Sequence, residues 1–223
     1  DEMDTAMNLV GIDRNPIPAG AVTGSVRTLD GITIRAARWP APKGRRRGTV
    51  LVIQGRNEFI EKYFETVADL LKRGFAVVAF DWRGQGGSER LLPNGHCHIE
   101  SYADYDRDLD AVMRQIVLPD CPPPYFALAH SMGALACLRA ARDGRAPFER
   151  MVLMTPMLEL SRAASPPMPV IRLITGAGLL AGLDGRAITA APWRKWKTLE
   201  PVADPRMERT SAVLAIRPGL RTG

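Results

Sequence analysis

The sequence is short of the residues that cross-link chains or hold metals. It has three cysteines, Cys97, Cys121 and Cys137, and three histidines, His96, His98 and His130, in 223 residues. An odd number of cysteines at irregular spacing excludes a disulfide framework and fits a reducing, cytoplasmic compartment. His96-Cys97-His98, even with Cys121, has ligand types that suit zinc but lacks a second spaced pair, so no metal is expected. Long apolar runs are missing as well. The longest uncharged apolar stretch, Leu173 to Leu183 (LITGAGLLAGL), has 11 residues, where a membrane-spanning helix takes about 20. No membrane span is expected in these residues. The first ten residues, DEMDTAMNLV, carry three acids and no apolar run, so no secretory signal is read there.

What is present describes a globular chain. Hydrophobic residues make up 46% and charged residues 24%, which argues against disorder, collagen and membrane bundles. At roughly 150 residues per domain, the length allows one large domain or one domain carrying an insertion. The net charge of +6 is lopsided: from Gly185 to Gly223 there are eight Lys/Arg against three Asp/Glu, so 8 − 3 = +5 of it lies at the C-terminal end. A solvated, uneven surface is the first reading of that asymmetry, ahead of nucleic acid or an anionic membrane surface.

Two β-prone runs, Val26 to Leu29 and Ile32 to Ala37, flank Asp30-Gly31 and predict an antiparallel opening hairpin. The unbroken β-branched run Thr49 to Ile53 predicts a strand buried on both faces. From Ile60 the apolar residues Tyr63, Phe64, Val67, Leu70 and Leu71 recur every three or four positions, a helix ending before Gly74. Phe75 to Phe80 is the next buried strand, Tyr102 to Ile116 the next amphipathic helix and Tyr125 to Ala129 another strand. Met132 to Ala141 reads as a further helix and Met151 to Met154 as one more strand. Regular alternation of this kind predicts an α/β fold with a doubly wound, mainly parallel sheet. Beyond Thr155, prolines 156, 166, 167, 169, 192, 201 and 205 punctuate helical-looking pieces without a strong strand run. Residues 1–155 are therefore expected to form the core and residues 156–223 an inserted helical cap.

Chemistry concentrates at Ala129-His130-Ser131-Met132-Gly133, between a strand and a helix. A serine on a sharp strand-to-helix turn projects its hydroxyl clear of the sheet, and the first amide of the helix points at the same place. Such a turn needs small residues two positions before and after the serine, here Ala129 and Gly133, where glycine is usual at both. The plainer alternative is a serine capping a helix.

At these residues the sequence resembles the α/β-hydrolases, and within them the lysophospholipase and monoacylglycerol-lipase branch. AHSMG resembles the G-H-S-M-G of that branch, and Asp81-Trp-Arg-Gly-Gln-Gly-Gly-Ser88 resembles its D-x-R-G-x-G-x-S loop. Gln54-Gly55-Arg56 stands where an H-G-x element follows the third strand. The resemblance runs from about Val26 to Pro156. It implies a serine hydrolase of carboxylic esters, acylglycerols or lysophospholipids, that needs no cofactor. Ser131 is then the nucleophile, and the backbone N–H groups of Met132 and Arg56 form the oxyanion hole. Gly55 lets that loop come close, and His130 packs on the other side of the turn. The Arg56 side chain is read first as a surface group, and second as a contact for a substrate phosphate or carboxylate.

The triad order of this superfamily is Ser, Asp or Glu, then His, yet no histidine follows Ser131. His96 and His98 lie in a loop that is a connection in the resembling family. Asp143, Asp184 and Asp204 follow the serine, but none stands after a recognisable late strand. The expectation is that these residues belong to a longer protein whose last strands carry the acid and the histidine; the alternative is a natural chain with an incomplete triad. Without a base the hydroxyl is a poor nucleophile at neutral pH.

Trp193-Arg-Lys-Trp-Lys197 interleaves aromatics with cations, which suits nucleic-acid stacking or an anionic lipid interface. The resemblance favours lipid, so a small acyl ester or lysolipid is the expected partner, with peripheral contact between cap and interface and no nucleic acid. An epoxide hydrolase or dehalogenase would place Asp at the elbow, where Ser131 stands. A thioesterase or peptidase stays open, as does a non-catalytic module that binds a lipid or a protein.

Overall fold

A computed structural model of the chain describes residues 8–44, 47–92, 95, 97–158 and 168–182. His96, Asp184, Asp204, the Trp193 to Lys197 segment and most of the expected cap lie outside the described residues.

Among the described residues six strands form one sheet: β1 (Val22–Arg27), β2 (Thr33–Trp39), β3 (Thr49–Ile53), β4 (Ala76–Phe80), β5 (Tyr125–His130) and β6 (Arg150–Met154), in the order β1-β2-β4-β3-β5-β6. The pairs β1/β2 and β2/β4 are antiparallel, whereas β4/β3, β3/β5 and β5/β6 are parallel. Among the described residues the helices of nine residues or more are α1 (Phe64–Lys72), α2 (Ala103–Val112), α3 (Met132–Arg142) and α4 (Met168–Leu180), and α2 runs on into a π-helical turn, Met113–Val117. This is the doubly wound, mainly parallel sheet expected from the alternating pattern.

The β-branched runs sit where their chemistry puts them. Every residue of β3 and β4 is buried, because both faces of a parallel sheet are covered by crossover helices. Alternate residues feed the two faces. Leu51 and Ile53 join Tyr105, Leu109 and Val112 of α2 and Met132, Ala136 and Ala140 of α3 on one side. Val50 and Val52 join Phe64 and Val67 of α1 on the other.

Two sequence expectations need correction. The first strand begins at Val22, not Val26, and Leu29 lies in the turn, 95% exposed. An edge strand with one wet face has little apolar alternation to read, and only Val26 of β1 is buried. The turn spans 28–32, closed by Thr28 N–H to the Ile32 carbonyl (2.9 Å) and Ile32 N–H to Thr28 Oγ1 (2.9 Å). The helix expected from Ile60 opens instead as a 3-10 turn, Ile60–Tyr63, before α1. Its first N–H is taken by a distant carboxylate, Asp81 Oδ1, at 2.9 Å.

The loop after β4 is pinned by buried ion pairs. Arg83 donates to Asp108 Oδ1 from Nε (2.8 Å) and Nη2 (2.7 Å), and to Asp30 Oδ2 from Nη1 (2.7 Å). That hydrogen bond from Arg83 holds the Asp30 carboxyl down at about 2. A carboxyl with a depressed folded pKa stabilises the fold above its unfolded pKa, about 4, and loses that contribution as pH falls toward the folded value. Thermal melts between pH 6 and pH 2 should therefore show a steeper acid loss of stability for the native protein than for Asp30→Asn; parallel curves would contradict the pairing.

The chain divides into two compact units, the first ending its described part at Met157 and the second opening at Leu158. The second unit contains α4, 13 residues long. No helix among the described residues is long and apolar enough to cross a membrane.

Candidate active site

The strand order turns at β3: its neighbours β4 and β5 are reached by crossovers running in opposite directions. In open α/β sheets ligands bind in the crevice beyond the carboxyl ends of the strands at such a point. Two segments leave the sheet there, Gln54-Gly55-Arg56 after β3 and Ser131 after β5.

Ser131 stands between β5 and α3 with φ 50° and ψ −114°. Its backbone is locked on both sides. Its N–H donates to the Met154 carbonyl at the end of β6 (2.9 Å), and its own carbonyl accepts from Met157 (3.1 Å) and Leu135 (3.2 Å). The side chain makes no capping hydrogen bond to α3, so the hydroxyl does not serve as an ordinary cap. Helix geometry leaves the first amides of α3, Met132 first, without partners inside the helix.

The small residues of the turn have visible reasons. A Cβ at Gly133 would stand 2.5 Å from the Gln54 carbonyl oxygen and 2.6 Å from that of Ile53. The first turn of α3 thus rests directly on the backbone leaving β3. A Cβ at Gly55 would stand 3.1 Å from both Ser131 Cβ and His130 Nδ1, which places the loop after β3 against the serine. Ala129, where glycine is usual, is fully buried, and its methyl belongs to the core cluster.

The loop after β3 is held by side chains. Gln54 Nε2 donates to the Phe80 carbonyl (2.7 Å) and to Asp81 Oδ1 (2.9 Å), and the Gln54 carbonyl accepts from Trp82 Nε1 (2.8 Å). Glu58 Oε2 accepts from Gly55 N–H (2.6 Å) and Tyr63 Oη (2.7 Å) and lies 3.2 Å from His130 Nδ1; Glu58 Oε1 accepts from Lys62 Nζ (2.6 Å). Burial pushes the Glu58 carboxyl up, but the hydrogen bonds from Lys62 and Tyr63 outweigh it and hold it below the usual range. An ionised Glu58 offers only acceptors, so His130 Nδ1 is the donor of this contact. His130 therefore ties β5 to the loop through Glu58. The Arg56 side chain is exposed, and among the described residues it forms no ion pair.

Asp143 does not join this group. It closes the far end of α3, about 16 Å along the axis by helix rise, where it pairs with Arg142 (2.7 Å) and Arg145 (3.4 Å). Cys97 and Cys121 lie among the described residues, and burial pushes both thiols up, away from the thiolate that a metal needs. No group of three or more metal-ligating side chains occurs among the described residues.

The sequence marks Asp81 and Gln85 only as members of the loop motif, and their contacts to the loop after β3 run across 21 to 28 residues. Glu58 has local partners in Gly55, Lys62 and Tyr63, the Lys62 pair at i, i+4 spacing, but its contact with His130 spans 72 residues.

A buried mixed sheet, a serine in a left-handed turn between strand and helix, and a second loop closing on it define the α/β-hydrolase class. Residues 44–195, more than half of the sequence, match the family described as serine aminopeptidase, S33. The chain belongs to that family. It is 41% identical over 106 residues to lysophospholipase L2 of Escherichia coli, the match covering 47% of this chain and 31% of the relative. It is 29% identical over 124 residues to the monoglyceride lipase of Rattus norvegicus, covering 54% of this chain and 39% of that protein. Its fold resembles the crystal structure of the Paleococcus ferrophilus monoacylglycerol lipase, with a TM-score of 0.53 and 24% identity over 67% of this chain and 52% of that one. The matches span less than half the length of these curated relatives.

Proposed function

We propose that the protein is a serine hydrolase of carboxylic esters, acting on lysophospholipids or monoacylglycerols through an acyl-enzyme on Ser131. The observation that carries this reading is Ser131 at φ 50° on the turn from β5 to α3, with Gly55 packed against it. The relatives named lysophospholipase and monoglyceride lipase support the substrate class.

In this reading Ser131 Oγ attacks the acyl carbonyl carbon, and the carbonyl oxygen becomes an oxyanion held by the N–H groups of Met132 and Arg56. Collapse of the tetrahedral adduct breaks the bond to the glycerol oxygen, which takes up the proton given off by the Ser131 hydroxyl and leaves as an alcohol, with the acyl group on Ser131. Water then adds to that ester and releases the fatty acid and the free serine. The reading assigns neither the acid nor the histidine of a triad to residues 1–223, and His130 holds Glu58 instead of serving as the base. Lipid contact by the cap belongs to the same reading, supported by the composition of the Trp193 to Lys197 segment.

Intact-mass analysis before and after incubation with an alkyl fluorophosphonate tests it, alongside fatty-acid release from lysophosphatidylethanolamine and monooleoylglycerol. The expected result is a single phosphonyl adduct mapping to Ser131 and release from at least one lipid. An unlabelled Ser131 in the full-length protein would favour the second reading, a lipid- or protein-binding module, for which Ala129 in place of glycine speaks.

A further inference from the structure

We propose that Gln85 is a positioning residue for the oxyanion hole, setting the place of the Arg56 N–H through the neighbouring peptide. The inference rests on the reading that this N–H receives the oxyanion. Gln85 is fully buried in the tight loop after β4, its backbone fixed by Gln85 N–H to the Trp82 carbonyl (3.0 Å) and Ser88 N–H to the Gln85 carbonyl (3.0 Å). Its side chain reaches across to the loop after β3, where Oε1 accepts the backbone N–H of Asn57.

The amides on either side of Arg56 are thus both captured by side chains: Gly55 N–H by Glu58, and Asn57 N–H by Gln85. Among the described residues no hydrogen bond engages the Arg56 N–H between them. Asn57 also adopts φ 62°, a left-handed conformation that asparagine reaches more readily than other side chains and that a hydrogen bond to its N–H helps to fix. The bond from Gln85 supplies that hydrogen bond.

The orientation of the Gln85 amide follows from chemistry. Asn57 N–H is a donor, so it must face the oxygen, which leaves Nε2 at the other end. That nitrogen is buried and has no partner among the described residues. A buried donor without a partner is unfavourable, and a methionine of similar volume would fill the space without it. The side chain is therefore useful here for its oxygen. A shift of the Arg56 N–H by a fraction of an ångström weakens a contact made mainly in the transition state and leaves ground-state binding almost unchanged.

Gln85→Met removes the acceptor at nearly constant volume, and Gln85→Glu keeps an oxygen facing the Asn57 N–H while exchanging the unpartnered amide nitrogen for the second oxygen of a buried carboxyl. In the full-length protein hydrolysing a p-nitrophenyl ester, Gln85→Met should lower kcat about 10- to 100-fold with KM changed by less than about 2-fold. Affinity for an alkyl trifluoromethyl ketone, whose adduct places an oxyanion in the hole, should fall in parallel. Gln85→Glu should stay within about 5-fold of the native kcat. An unchanged kcat in Gln85→Met, an effect on KM alone, or equal losses in both variants would overturn the proposal while the hydrolase reading stands. Hydrogen exchange of the Asn57 amide in the native protein asks the same question without a variant. Slow exchange is expected, and exchange at the rate of an open loop would overturn it. A native protein that neither turns over nor accepts a phosphonate would overturn both readings together.

Discussion

Ser131→Ala should abolish phosphonylation and lower kcat/KM for ester hydrolysis about 10⁴- to 10⁶-fold, while the free energy of unfolding stays within about 0.5 kcal/mol of the native value. The two halves of that result have separate physical causes. Activity is lost because the hydroxyl oxygen is the atom that bonds to the acyl carbon, and a methyl group cannot replace it. Stability is kept because the hydroxyl makes no capping bond to α3, and alanine tolerates φ 50° no better and no worse than serine. Ser131→Gly separates the terms further. It loses the same activity but gains about 1 kcal/mol of stability, because glycine adopts a left-handed conformation without steric penalty. Steady-state kinetics and urea unfolding of the three proteins check this. An alanine variant retaining a tenth of native turnover would remove Ser131 from the chemistry. A glycine variant less stable than alanine would show that the turn is not strained.

The largest loss of stability should come from Arg35→Met, about 3–5 kcal/mol. Arg35 is fully buried on β2 between two buried carboxylates. It donates to Asp81 Oδ2 from Nε (2.6 Å), to Glu61 Oε1 and Oε2 from Nη1 and Nη2 (2.8 Å each), and to the Asn8 carbonyl (3.2 Å). Removing the cation leaves Glu61 and Asp81 buried as uncompensated anions, and that penalty exceeds anything the methionine gains by packing. The damage reaches the site. Asp81 also accepts from Gln54 Nε2 and from the N–H groups of Ile60 and Gly87, so a protonated or displaced Asp81 loosens the loop bearing Arg56. Arg35→Lys should recover only part of the loss, because one ammonium cannot reproduce the fork that spans two carboxylates. Urea denaturation at pH 7 gives the comparison; a cost below about 1 kcal/mol for Arg35→Met would mean that water or rearrangement compensates the anions.

These two residues also mark how far the sequence could be read. Ser131 was legible because everything that identifies its turn is local: a buried β run before it, small residues beside it and a helix pattern after it. Arg35 carries no such local mark. Its partners lie 26 and 46 residues away, and neither spacing corresponds to a helix or strand period. The Glu58–His130 contact, across 72 residues, and the Gln85–Asn57 contact, across 28, escaped for the same reason. The start of β1 was misplaced because an edge strand with one face in water carries little hydrophobic periodicity.

By itself the sequence determined the class of fold, the order of strands and helices along the first 155 residues, and the serine at the turn. Each of these is written in local composition and period, which act between residues close along the chain. Only the tertiary structure decided which loop closes on Ser131, which amides are taken and which left open beside it, and which buried charges balance one another. Those choices depend on the crossing of segments far apart in sequence, where distance and direction, not residue type, decide whether a hydrogen bond forms.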